Sequence, residues 1–469
     1  MECGSACGVV KGTLDMAPRK IKTDVLVIGA GIAGMQASLD LADEGFKVLL
    51  VERDPSIGGK MIALSKVFPT LDCASCICTP KMSATAHHEN ITVMTYAEVK
   101  KIKRSGGRFE AFVLQKPRYV VAKDCIGCPL CEQACPVYLP HEFEGNLGVR
   151  KAIYVPFSNA IPQVALLDIE NCIFCGLCVK ACPKNCIDFL QEPEEITVDA
   201  GAVIQATGFD LLPKTVQERY GRGKLANVLD SLQVERLLAP HGPFGRVLRP
   251  SDGKVPDSVA YVLCAGSRDL SCGVPYCSRV CCMYSIKQAM LLSGALPLVD
   301  VTIYYMDIRA YGKGFEPFYR NAQAMGIEFV KGSVAQITED GEHNPIVRFE
   351  QIDGNGQPVE RKHDMVVLSL GIVPAENADN DFLASLDPED DFVLRVQPSL
   401  APARTHADGV FVAGVAAGPK DIPDTIVEAG AAATEASAYL RGQGVRGRMP
   451  DQPGEVDREA VTTTGRNQV

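Results

Sequence analysis

Along the chain, short and nearly unbroken apolar runs alternate with helical stretches, the pattern of strands buried on both faces of a parallel sheet. The first strand, Thr23–Ile28, runs into Gly29-Ala30-Gly31-Ile32-Ala33-Gly34 and a helical stretch to Glu44. A second strand, Lys47–Val51, ends in Glu52. A similar unit returns downstream as strand Val259–Leu263, helix Cys281–Leu292 and strand Val301–Tyr305, with a closing segment Leu370-Gly371-Ile372-Val373-Pro374. Between the two units, strand-like Phe109–Leu114 and Arg118–Val121 lead into a cysteine-rich stretch, after which Glu195–Gln205 resumes the apolar pattern. This order predicts an α/β protein into which a cysteine-rich module is inserted. From about Gly442 onward Gly, Pro, Thr and charged residues dominate, which predicts a disordered tail.

The first unit places G-x-G-x-x-G between a strand and a helix, the context that gives the motif its meaning. Gly29, Gly31 and Gly34 permit a tight turn and close approach of a pyrophosphate to the helix N-terminus. Glu52, near the expected spacing, suits ribose hydroxyls. The continuation Gly58-Gly59-Lys60 resembles that of the two-dinucleotide-binding flavoproteins, in which paired glycines pass close to FAD. Ala206-Thr207-Gly208 resembles their second FAD motif and Gly409 to Gly414 their last one, although Val415 stands where that group usually has an acidic residue. Gly414 and Thr425 are the expected flavin contacts there, and a helix starting near Pro423 is expected to present amides to the flavin.

The inserted stretch carries Cys125, Cys128, Cys131 and Cys135-Pro136, then Cys172, Cys175, Cys178 and Cys182-Pro183. Both runs read C-x2-C-x2-C-x3-C-P, the bacterial ferredoxin pattern, in which the fourth thiolate of each cluster comes from the opposite run. One 4Fe-4S cluster is therefore assigned to Cys125, Cys128, Cys131 and Cys182, the other to Cys172, Cys175, Cys178 and Cys135. Zinc or disulfides are the alternatives, but neither asks for this doubled spacing with proline after each last cysteine.

The second unit has the outline of a nicotinamide-nucleotide domain without its phosphate loop, since Cys264-Ala265-Gly266-Ser267-Arg268 lacks the later glycines. In its place stand Cys264, Cys272, Cys277, Cys281 and Cys282. One reading is a third 4Fe-4S cluster on Cys264, Cys277, Cys281 and Cys282, with Cys277 and Cys281 sharing a helical face; the other is buried free thiols. Five cysteines within 19 residues favour the cluster. Cys73-Ala74-Ser75-Cys76 is open to three readings: a fourth cluster with Cys3 and Cys7, a redox dithiol, or structural thiols.

A net charge of −10 argues against nucleic-acid binding, and no apolar run approaches the roughly 20 residues of a membrane-spanning helix. Without an apolar N-terminal core, and with its 19 cysteines in cluster spacings, the chain is expected to be cytoplasmic. The expected division is a lead at 1–22, a flavin domain at 23–121, 190–226 and 375–441, a ferredoxin insert at 122–189, a degenerate nucleotide-binding-like domain at 227–374 and a tail at 442–469.

Several longer segments resemble the A-type flavin subunits of the heterodisulfide reductases. They are Phe68-Pro69-Thr70-Leu71-Asp72-Cys73 with Thr79-Pro80-Lys81-Met82, the double cysteine run, Tyr276 to Lys287, Tyr305 to Gly312 and Gly418 to Thr425. The resemblance implies a thioredoxin-reductase-like FAD fold with an inserted two-cluster ferredoxin domain. It also implies electron bifurcation between a low-potential ferredoxin and a disulfide or related acceptor. Implied partners in a hetero-oligomer are B- and C-like subunits, ferredoxin and an upstream donor such as a hydrogenase, a formate dehydrogenase or an NADH-oxidising flavoprotein. By analogy Lys420 is a candidate for tuning the reduced flavin. Longer relatives add a C-terminal ferredoxin module, and this chain has no cysteine after Cys282. The rival function is a self-contained NAD(P)H-dependent iron-sulfur flavoprotein.

Overall fold

The computed structural model describes residues 19–213, 218–352, 357–375, 399–445 and 447, with isolated positions at 382, 392–393 and 395–396. Cys3, Cys7 and the predicted tail beyond 447 lie outside the described residues.

Two seven-stranded sheets organise these residues. In the first, parallel strands Ile91–Thr95, Val48–Glu52, Arg19–Ile28 and Glu194–Gln205 lie side by side. The long strand Glu194–Gln205 changes partner along its length. Its first residues pair antiparallel with Arg108–Gln115, while Val203–Gln205 pair in parallel with Val410–Val412. That pairing brings chemistry-bearing turns from distant parts of the sequence to one sheet edge. Val25–Ile28 and Val48–Glu52 are buried throughout, as their unbroken apolar run requires. Helix Ile32–Asp43 packs against the C-terminal helix Ile422–Gly442 over a core of Met35, Leu41, Ala429, Ala433 and Ala436.

The second sheet runs Val228–Asp230, Met365–Leu370, Ser258–Ala265, Asp300–Tyr305, Glu328–Glu339, Pro345–Gln351 and Pro358–Lys362. Its first five strands are parallel and its last two extend it antiparallel. Helix Cys281–Ala295 covers one face through Met283, Ile286, Ala289 and Met290.

The cysteine-rich insert contains two five-residue helices, Leu130–Ala134 and Leu177–Ala181, that touch each other, and two small hairpins. It is fastened at more than its ends. Arg236 of helix Ser231–Leu238 forms a buried, two-pronged pair with Glu144 of the insert at 2.9 and 3.1 Å, and Gln233 donates to Gly145 O. On the other side Ile57 N donates to Ile161 O, and Asn159 donates to Thr79 and Ser75.

The expected strand Arg118–Val121 does not form. Tyr119 turns into the left-handed region at φ 55°, leaving a single bridge between Val120 and Ile187. Arg118 turns inward instead and donates to Pro55 O and Thr95 Oγ1. Helix Ala74–His87 was not foreseen. It carries Pro80 in its interior, and its buried positions Ala74, Cys78, Met82 and Thr85 still recur at helical spacing.

Candidate flavin and cluster sites

The turn after the first strand is built by absence of side chains. A Cβ on Gly29, at φ 98°, would lie 2.4 Å from Ala206 O, and one on Gly34 would lie 1.8 Å from Gly29 O, so helix and strand approach only because both are glycine. Around Gly31 the nearest atom to an added Cβ is 4.0 Å away, and the helix N-terminus has no side-chain cap. Those free amides face a cavity of about 1390 Å³. Such a cradle fits the pyrophosphate of a dinucleotide.

Of the predicted flavin residues, Gly29, Gly31, Glu52, Gly59, Lys60, Thr207, Gly208 and Thr425 line this cavity, while Gly34, Gly58 and Gly414 do not. Glu52 accepts hydrogen bonds from Ala30 N at 2.6 Å and Asp54 N at 3.0 Å. Burial, with the Asp54 charge adding to it, still pushes its carboxyl up to about 7. Lys60 lies over the Phe209 ring and pairs with Asp210 at 3.3 Å.

Helix Ile422–Gly442 offers fewer free amides than its sequence suggests. Asp421 caps it by accepting from Asp424 N, Thr425 N donates to Asp421 O, and Pro423 has no N–H, so Ile422 N is left to face the cavity. Lys420 also lines the cavity, but its ammonium donates to Gly414 O at 2.5 Å and Gly418 O at 2.7 Å and pairs with Glu428 at 3.0 Å. Burial lowers its pKa, opposed by the charge of Glu428. It binds the loop that carries Gly414 to the start of the helix.

The opposite wall comes from the second unit and contains a group that sequence reasoning missed. Lys287 and Glu235, each almost fully buried, form an ion pair beside the cavity. Lys287 also donates to Lys66 O, and Glu235 accepts from Ser65 N and Oγ. Burial works to raise Glu235, yet the Lys287 ammonium and these hydrogen bonds hold it below the usual carboxylate range. A lone lysine in the apolar helix after Cys282 was the available signal; its partner, 52 residues earlier, gave none.

The insert's thiols gather around two small cavities. One is lined by Cys125, Cys128, Cys131 and Cys182, the other by Cys135, Cys172, Cys175 and Cys178. Each group takes three thiols from one run and one from the other, the grouping that the spacing predicts, and this donor set suits a cubane. A fifth thiol, Cys186, also lines the first cavity. Leu167 lines both the second thiol cavity and the large flavin-type cavity, so one side chain borders the two.

In the second unit, Cys264, next to last in its strand and at φ 55°, meets the first turn of helix Cys281–Ala295, where Cys281 hydrogen-bonds both Cys264 and Cys282. The bond from Cys281, against burial and aided by Arg268, lowers Cys264 to about 7. Because the helix begins at Cys281, Cys277 lies on the segment ahead of it and does not share its face; its sulfur accepts from Arg279 N. Cys272 bonds Asp269 at 3.4 Å. The turn where a phosphate loop would stand is packed shut: Ser267 bonds Ser278 at 2.6 Å, Ser278 accepts from Ile372 N, and Arg268 pairs with Asp307 at 2.6 Å. Cys73 caps helix Ala74–His87 by accepting from Cys76 N at 3.3 Å, and its bond from the Cys76 thiol lowers its pKa.

Residues 124–187 match the family described as 4Fe-4S dicluster domain, and residues 24–75 match the FAD dependent oxidoreductase family. Among curated relatives, an iron-sulfur A-subunit of the CoB--CoM heterodisulfide reductase of Methanopyrus kandleri is 46% identical, covering 96% of this chain and 70% of the relative. The A-subunit of the H(2)/formate:CoB-CoM heterodisulfide,ferredoxin reductase of Methanococcus maripaludis is 47% identical over 93% of this chain and 69% of its own. The A-subunit of the H(2):CoB-CoM heterodisulfide,ferredoxin reductase of Methanothermobacter marburgensis is 45% identical over 92% and 66%. The chain thus spans about two thirds of the length of these relatives. Among solved structures, thioredoxin reductases of Lactococcus lactis and T. acidophilum superpose with a TM-score of 0.51 at 13% and 15% identity, covering 90% of this chain and 99% of theirs. The fold is that of the thioredoxin-reductase-like FAD oxidoreductases, with a 4Fe-4S dicluster domain inserted.

Proposed function

Because the chain belongs to the family of heterodisulfide reductase A-subunits, we propose that it is the FAD and iron-sulfur hub of a heterodisulfide-reductase-like complex. In that role it splits electron pairs between a low-potential ferredoxin and a disulfide-reducing partner. FAD, when bound, exchanges electrons singly or in pairs, and each cubane takes one. Gly29, Gly31 and the open helix N-terminus would hold the pyrophosphate, Glu52 the ribose, and Gly59, Lys60, Thr207, Gly208 and Thr425 the rest of the flavin. Cys125, Cys128, Cys131 and Cys182 would hold one cluster, Cys172, Cys175, Cys178 and Cys135 a second. Cys264, Cys281 and Cys282, with Cys277 on the adjoining segment, would hold a third.

The observation that carries this reading is the position of Leu167, one residue shared by the large cavity and a four-thiol cavity. The Arg236–Glu144 and Gln233–Gly145 bonds fix the insert against the second unit, so that spacing is held from two sides. Disulfide cleavage is assigned to B- and C-like partner subunits, with the electrons supplied by an upstream donor module.

An anaerobic pull-down of the tagged chain tests the reading. Co-purification of cysteine-rich subunits and a hydrogenase-, formate dehydrogenase- or flavoprotein-type donor is expected; a chain recovered alone and active with NADPH would overturn it. The closed turn at Ser267 and Ser278 weighs against the self-contained NAD(P)H oxidoreductase. On that basis NADH and NADPH leave the flavin of the isolated chain oxidised.

A further inference from the structure

The two thiol cavities of the insert differ in the number of thiols that line them. After the first run, buried Ala152 accepts at its O from Asp168 N at 2.7 Å and precedes Ile153, which pairs with Leu167; Cys186 holds the same place after the second run, preceding Ile187, which bridges Val120. Four residues after the last cysteine of the second run stands Cys186. Its residue is 4% exposed, its sulfur lies 3.4 Å from that of Cys182, and it lines the same cavity as Cys125. Its backbone is tied to the start of the other run: Val121 N donates to Cys186 O at 2.7 Å, and Cys125 N donates to Val121 O at 3.1 Å. Five thiols therefore surround a cavity whose cubane has four irons to bind, while four surround the other.

We propose that Cys186 is not a ligand but a positioning thiol whose S–H donates to the cluster-bound sulfur of Cys182, setting this cluster at a higher potential than its partner. The inference rests on the reading of the insert as a two-cluster module. A hydrogen bond to a ligand sulfur stabilises the extra negative charge of the reduced cluster, and so favours reduction. Ala152, at the corresponding place, offers no such donor. The two clusters are thereby made unequal within one small module, a gradient that directs single electrons along it.

The test uses the full chain prepared anaerobically, with iron analysis and a redox titration followed by electron paramagnetic resonance. Cys186→Ala is expected to keep the iron content of the wild type. One of the two insert clusters should become harder to reduce by roughly tenfold in its equilibrium, about 59 mV for one electron, with the other unmoved. Cys186→Ser, which keeps a donor, should regain most of the shift. Unchanged midpoints in Cys186→Ala, or both midpoints moving together, would overturn the proposal. Loss of about four irons in both Cys186→Ala and the core-filling Cys186→Val would do the same, by making Cys186 a ligand. A wild-type insert without iron would instead overturn the two-cluster reading on which the proposal rests.

Discussion

Glu52 is buried, with two backbone amides as its donors. Its folded-state pKa is raised from 4.5 to about 7, so between those values the folded chain holds this proton more tightly than the unfolded chain. The stabilisation is complete below about pH 4.5 and is lost as pH rises through about 7. Flavin-free wild type should therefore lose on the order of 3 kcal/mol of stability between pH 4.5 and pH 8, and Glu52→Gln, whose amide nitrogen leaves one of the two backbone donors unaccepted, should be less stable than wild type at pH 4.5 but show a flatter pH dependence, as urea unfolding at the two pH values would show. The same variant should bind FAD more weakly, because the ionised carboxylate is the better acceptor for ribose hydroxyls. Lys287→Met would strand the Glu235 charge in the interior. A loss of roughly 3–5 kcal/mol is expected, and the double change with Glu235→Leu should recover much of it. Glu52 and the ferredoxin cysteines were legible in the sequence because their chemistry fixes a local spacing. The partner of Lys287 was not, since no spacing rule joins residues that meet only through the fold.

Among the elements, the first helix depends on Gly34. Gly34→Ala puts a methyl 1.8 Å from Gly29 O, so the helix must move off the strand and the cradle opens. The purified variant should contain little flavin by absorbance at unchanged expression of the chain. The insert's clamp makes a different prediction. Arg236→Met leaves Glu144 buried and unpaired, costing roughly 3–5 kcal/mol, and should expose the insert to limited proteolysis before the flavin domain opens. The strands flanking the first glycine turn and the helix after Cys281 were legible, because buried parallel strands read as short apolar runs and a helix buried nearly all round as a longer one. Arg118–Val121 was misread because a residue at positive φ interrupts an apolar run without a glycine to announce it. The last strand of the second sheet, Pro358–Lys362, escaped notice because none of its residues is buried, so it carries no apolar run to read.

At the scale of the whole molecule, the two sheets and the insert meet around one cavity, and residues from all three line it. Fold class and family were legible because motif and context agree over most of the chain. The side-to-side closeness of cavity and insert was not, because it depends on Leu167, an ordinary core residue in sequence. No helix among the described residues is long and apolar enough to cross a membrane. What the account requires above all is that iron-sulfur cubes share this polypeptide with a flavin. Iron and flavin quantification on anaerobically purified chain tests that most directly. The account predicts about twelve irons per FAD, four for each of three cubanes; zinc in place of iron at the paired runs, or those thiols joined as disulfides, would contradict it.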